Sequence, residues 1–211
     1  VYTLRRVVDG AERTELWTVP ATGGGARPLV SRAGSASCPR IDPAGTAVAF
    51  LLSDHDAPPQ VQLVPLAGGE PRSLGDFPRG VHDLAWYPDG AALAVLAEDE
   101  DSARVVRAPG LEPAASPTAI RLATVDWRSD GDGDGGLRLH PRHVHRLPLD
   151  GSRPTRLTSG DWSASRPRVD SAGAVYFLAD RGGDADLWPA PQVHRIGAAP
   201  PEAPPGAGSG V

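Results

Sequence analysis

The 211-residue chain has no lysine, no asparagine and no methionine, and it has a single cysteine. All 21 basic residues are therefore arginine. The missing residue types are those with AT-rich codons, which points to a GC-rich bacterial coding sequence. Without methionine, Val1 is expected to be either an alternative start or the first residue of a piece of something longer. Cys38 has no partner for an internal disulfide, which fits a reducing, cytoplasmic setting. Long apolar runs are also missing. The longest are residues 47–52 and 91–97, far short of the roughly 20 a bilayer-spanning helix needs, and residues 1–9 do not read as a signal peptide. No membrane partner is expected. A net charge of -5, with arginines scattered singly or in pairs, argues against a dedicated nucleic-acid binder.

What the chain has in abundance is turn residues, 25 glycines and 23 prolines. Between them lie short runs rich in Val, Leu, Ala and aromatics, and no stretch holds a helical period. Many short strands with regular turns indicate an all-β sandwich, barrel or propeller. Internal repetition decides among these. The turn glycines Gly45, Gly90 and Gly173 are separated by 45 and then 83 residues. The prolines Pro20, Pro65 and Pro148 repeat the same two spacings, as do Gly23, Gly68 and Gly151, and Leu29, Leu74 and Leu157. Four series in one phase define a unit of four strands, and a period of about 40–45 residues with four strands is a propeller blade.

The expected architecture is an all-β partial propeller of about four blades built from four-stranded antiparallel sheets. The propeller segment is expected over residues 1–197, with blades near 1–30, 38–74, 82–158 and 165–196. The excess of the second spacing over the first places an insertion at 98–139. Within the second unit the strands are expected at 38–42, 46–52, 61–66 and 71–74. The last unit is expected to run through 167–169, 174–179 and 186–188. There is room for one strand, 2–8, before Leu16, but none for the strand that should precede it. Residues 198–211, composed almost wholly of Ala, Pro and Gly, are expected to be disordered. An open arc leaves a blade face uncovered at each end, so the isolated segment is expected to self-associate or dissolve poorly.

Two sets of residues carry a family resemblance. Trp86-Tyr87-Pro88-Asp89-Gly90, an apolar strand, and a closing hairpin of the kind Pro65-Leu66-Ala67-Gly68-Gly69-Glu70-Pro71-Arg72-Ser73-Leu74 resemble the repeat shared by TolB-type propellers and the propellers of prolyl-oligopeptidase-family serine peptidases. The inserted Arg121-Leu122-Ala123-Thr124-Val125-Asp126-Trp127-Arg128-Ser129-Asp130-Gly131-Asp132-Gly133, followed by a strand around His143, is similar to the acylaminoacyl-peptidase and dipeptidyl-peptidase branch. That resemblance implies a propeller that covers an α/β-hydrolase domain of the same parent chain and limits access to short peptides. The chain departs from the full family pattern because it has no G-x-S-x-G nucleophile elbow. Ser209 has Ala207 two positions before it and Ser163 has Asp161. No catalytic residue is carried over, no cofactor is implied, and the chain alone is expected to be inactive. The alternative is a stand-alone TolB-like propeller that acts as a protein-binding module.

Candidate sites each have a plainer reading. Asp130, Asp132 and Asp134 alternate with glycines as calcium loops do, but Pro141 stands where an EF-hand loop would need Glu, and a solvated acidic loop is the default. His143 and His145 should share one face of a strand, with His140 nearby as a third zinc ligand. The plainer account is one structural histidine with solvent-facing neighbours. The run Glu98-Asp99-Glu100-Asp101 could hold a peptide amino terminus, though such runs are usually solvated. Trp86 aligns with Ile41 and Val169 and is expected in a repeating buried position between blades. Trp127 and Trp162 fall outside that register and are candidates for exposed or interface use. Cys38 lacks a neighbouring base and is expected to be a small buried residue.

Overall fold

The computed structural model describes residues 1–8, 10–30, 34–54, 57–99, 105–106, 119–120, 140–182 and 190–197. Among these there is no helix, and so none long and apolar enough to cross a membrane. Four antiparallel sheets follow one another along the chain. The first holds β1 (Tyr2–Val8), β2 (Ala11–Thr18) and β3 (Arg27–Val30). The second holds β4 (Ser35–Ile41), β5 (Ala47–Ser53), β6 (Gln60–Pro65) and β7 (Arg72–Ser73). The third begins with β8 (Val81–Trp86) and β9 (Ala92–Glu98). A two-stranded ribbon of β10 (Val105–Val106) and β11 (Ala119–Ile120) interrupts it before β12 (Arg142–Pro148) and β13 (Thr155–Arg156) complete it. The fourth holds β14 (Ala164–Val169), β15 (Val175–Ala179) and β16 (Gln192–Ile196).

This is a partial, unclosed propeller of four blades with three or four strands each. Strand existence and order follow the repeat, with boundaries moved by one to three residues for most strands. The last blade needs a correction. Its third strand is Gln192–Ile196, registered Val175↔Ile196 through Ala179↔Gln192, and not 186–188. The loop from β15 to β16 is longer than its counterpart between β5 and β6, so the spacing slips, and residues 183–189 lie outside the described residues. The 198–211 tail lies outside them as well, as does most of the 98–139 insertion.

The turns show why the repeat is so regular. Gly45, Gly90 and Gly173 hold φ of 71°, 68° and 83°, a region glycine enters without steric cost. The aspartate that opens a turn ties it down. Asp42 accepts from Thr46 N (2.6 Å), Thr46 Oγ1 (2.8 Å) and Ala47 N (2.9 Å), and Asp170 accepts from the amides of Ala172 and Ala174.

Packing explains the continuous apolar runs. On β5, Val48 and Phe50 enter the core shared with the first blade, while Ala49 and Leu51 enter the core shared with the third. On β9, Leu93, Val95 and Ala97 face the second blade, while Ala94 and Leu96 face the fourth. Alternation sends neighbouring side chains to opposite faces. In the two middle blades both faces are buried, so the polar half of the usual pattern disappears. Each fully buried Leu, Val or Phe contributes about 1.5–3 kcal/mol over its exposed state. In the end blades only one face is covered. On β15, Val175, Phe177 and Ala179 are buried and the intervening residues are half-buried. Val7 and Val193 are about 70 % exposed, at 70 % and 68 %.

Candidate functional site

The first strands of the middle and last blades, β4, β8 and β14, each form one edge of their sheet. They lie side by side, β8 against both of the others, and form the inner wall of the arc. Each carries one irregularity, at matching positions in β4 and β14 and slightly earlier in β8. The pairing slips between Ser37 and Arg40, between Val81 and Asp83, and between Ser165 and Arg168. These are β-bulges, which bend a strand and re-aim its side chains. Cys38 and Arg166 occupy matching positions and both take the left-handed conformation, with φ of 50° and 51°. Non-glycine residues rarely do so.

The bulges carry a repeat that the turn markers did not reveal. Ser37-Cys38-Pro39-Arg40 and Ser165-Arg166-Pro167-Arg168 are the same Ser-x-Pro-Arg segment in the second and fourth blades. In both, the arginine donates through Nη1 to the carbonyl of the proline before it, at 3.0 Å for Arg40 and 2.6 Å for Arg168. The blade between them has His82-Asp83-Leu84-Ala85 instead. It loses the arginine and gains a carboxylate. Arg40 Nη2 lies 3.1 Å from Oδ1 of Asp83 and Arg168 Nη1 lies 3.3 Å from Oδ2. One carboxylate thus joins three blades. Asp83 also accepts from the Leu84 amide at 2.8 Å, and its side chain is 16 % exposed against 57 % for Arg168. Cys38 is half-buried beside this cluster, with Sγ 3.8 Å from the His82 carbonyl. Burial raises its thiol pKa and the Asp83 charge adds to the rise, with Arg40 and Arg168 opposing. A raised thiol is the reverse of an activated nucleophile.

Trp86 sits at the end of β8, partly buried against the second core, and donates from Nε1 to the Arg40 carbonyl at 2.9 Å. The repeating position is not a buried one throughout. Ile41 is 46 % exposed and Val169 is half-buried, because the strand end runs out of the inter-blade core into the turn.

The histidines share the expected strand. His143 and His145 lie opposite Ala97 and Val95, on the face of the third blade that meets the second. His143 is fully buried, with Nε2 3.0 Å from the Gly160 carbonyl and Nδ1 3.1 Å from Thr158 Oγ1. A carbonyl only accepts, so Nε2 carries the proton and Nδ1 accepts from the threonine hydroxyl. That hydroxyl oxygen accepts in turn from Val144 N at 2.9 Å. Burial holds the His143 pKa below its ordinary value, with the Arg156 charge adding to the effect. His145 meets Phe77 edge-on at 5.8 Å and is pushed down to about 4, by burial first and then by Arg156. His140 places Nδ1 2.9 Å from the Asp99 carbonyl. Both ring nitrogens of His143 are spent inside the protein. Among the described residues no group of three His, Cys, Asp or Glu side chains could hold a metal. Asp130, Asp132, Asp134 and Trp127 lie outside the described residues.

The acidic run is also engaged. Glu98 Oε1 lies 2.9 Å from His82 Nε2 and 3.4 Å from Arg142, and Oε2 lies 3.7 Å from Arg79. Burial pulls the Glu98 pKa up, but the His82 hydrogen bond and charge, with Arg142, outweigh it and hold it below the ordinary value. Asp99 pairs with Arg156 at 3.0 Å. Glu100 and Asp101 lie outside the described residues. Trp162 is half-buried, edge-on to His143 at 5.3 Å and stacked on Phe177 at 5.9 Å, with the Arg181 guanidinium 5.1 Å over its ring. It braces the connection between the last two blades.

No family model matches the chain. In fold it is similar to TolB from Acinetobacter baumannii, with a TM-score of 0.58 and 19 % identity over 92 % of this chain and 37 % of that one. It is similar in the same sense to the Pyrococcus horikoshii acylaminoacyl peptidase, with a TM-score of 0.55 and 12 % identity over 84 % of this chain and 25 % of that one. At the level of sequence it is 27 % identical over 125 residues to the uncharacterized peptidase YuxL of Bacillus subtilis. That match covers 57 % of this chain and only 18 % of the relative, so the chain spans a fraction of the proteins it resembles. The class is a propeller with the fold seen in TolB-like proteins and propeller-bearing serine peptidases, and its 211 residues contain no nucleophile elbow.

Proposed function

We propose that this chain is a non-catalytic, TolB-like propeller, over residues 1–197, that works by binding a protein or peptide partner along its inner wall. The observation that carries the reading is the exposed, charged face of β14, where Arg166 and Arg168 stand open to solvent on a strand tied to the neighbouring blade by the Asp83 carboxylate. The purified chain is expected to leave aminoacyl and acyl-peptide reporters unhydrolysed. When an unfolded peptide mixture is added, Arg166 and Arg168 are expected to be protected from an arginine-modifying dicarbonyl reagent. Protection elsewhere, or none, refutes the reading.

A second reading follows from the match to a protein named as a peptidase. In it, the propeller gates the entry of short peptides to an α/β-hydrolase domain of the same polypeptide. The coding sequence on either side separates the two. A G-x-S-x-G elbow downstream favours the gate, and an upstream export signal without a hydrolase favours the binding module.

A further inference from the structure

The charge of the inner wall is opposite to that of the molecule. The chain carries a net charge of -5, yet β4, β8 and β14 together hold three arginines, Arg40, Arg166 and Arg168, and one acid, Asp83. Asp83 is bonded to two of the arginines and neutralises only one charge. The donors are far from exhausted. A guanidinium has five N–H groups. Arg168 spends only Nη1, on Asp83 and Pro167, while Nη2 and Nε donate to no described residue. Arg166 is exposed, takes the left-handed backbone conformation, and forms no ion pair with another described residue.

The backbone rules out one mode of recognition. A regular edge strand invites a partner to add a strand, and bulges disrupt such pairing. All three inner strands are bulged, β8 slightly earlier in the repeat than β4 and β14. A ligand there is held by its side chains or its terminus rather than by a β-ladder.

We propose that this inner wall is a docking surface for an acidic peptide segment. Its carboxylates are bound by Arg166 and by the unspent donors of Arg168 and Arg40, whose remaining donors Asp83 occupies as a competing acceptor. Guanidinium–carboxylate pairs are geometrically specific and about twice as strong as neutral hydrogen bonds. The inference deepens the binding-module reading and rests on it.

The test is fluorescence anisotropy of the full chain with fluorescein-labelled hexaglutamate, hexaglutamine and hexaarginine at low and high salt. Hexaglutamate is expected to bind tightest and to weaken with salt. Arg166→Gln, which touches no described ion pair and leaves the fold intact, is expected to weaken it about tenfold. Asp83→Asn removes the competing carboxylate and is expected to tighten binding roughly threefold despite a lower melting midpoint. An arginine cluster that only clamps blades together would lose stability in Asp83→Asn and gain no affinity. That result, or unchanged binding in Arg166→Gln, overturns the inference. Equal binding of all three peptides, or preference for hexaarginine, overturns it and leaves the binding module standing. Failure to bind any peptide overturns both.

Discussion

Arg40 and Arg168 stand on strands two blades apart and donate to opposite oxygens of one carboxylate, that of Asp83. The geometry works because each arginine follows a bulge and a proline. The bulge turns the guanidinium along the inner wall toward the middle blade, and the proline carbonyl holds it there.

Asp83→Ala is expected to destabilise the chain by about 1–2 kcal/mol in denaturant titration, because it leaves two arginines without their shared acceptor. Arg168→Ala, at a more exposed side chain, is expected to cost only about 0.5 kcal/mol. Equal costs for the two would mean that the carboxylate does not join three blades.

Thr158→Val keeps shape and removes one hydroxyl. That hydroxyl serves both the Val144 amide and His143 Nδ1. Both are buried, so the substitution is expected to cost about 2–3 kcal/mol. Thr158→Ser, which restores the oxygen, should recover most of the loss, as read from thermal melts.

His145 titrates at about 4 in the fold against an ordinary 6.5. The unfolded chain therefore takes up a proton that the folded chain refuses. The resulting stability is fully present above pH 6.5 and is lost as pH falls toward 4. The loss is expected to be about 2 kcal/mol, discounted for partial exposure of the ring. His145→Leu should flatten the stability profile across this window. His143 contributes in the same direction.

Glu98 has the opposite chemistry and a different window. Its folded pKa lies below the ordinary 4.5, so its contribution is present above pH 4.5 and is lost as pH falls through the folded value. Glu98→Gln is expected to be less stable at neutral pH by about 1 kcal/mol and to show a shallower acid limb below pH 4.5. Urea midpoints measured across the pH range separate the two residues.

The sequence by itself determined the blades. Turn glycines, hairpin prolines and strand leucines recur in fixed phase because each blade solves the same local problem: a left-handed corner, a hairpin, and a strand packed against its neighbour. Those signals survive in one dimension because they depend on neighbours in the chain. The final strand escaped this reading. The loop before Gln192–Ile196 is longer than its counterpart in the second blade, and only the pairing with Val175–Ala179 sets the register. The histidines were legible as a pair on one face, but not as a buried tautomer locked by Thr158 and Gly160, since those partners come from the next connection. The inner wall was half-legible. The Ser-x-Pro-Arg segments stand in the sequence at Ser37 and Ser165, in phase with the turn glycines. That their arginines converge on Asp83 was decided only when the sheets packed side by side. Charge partners across blades are separated by whole repeats, and no local propensity encodes the angle at which one sheet meets the next.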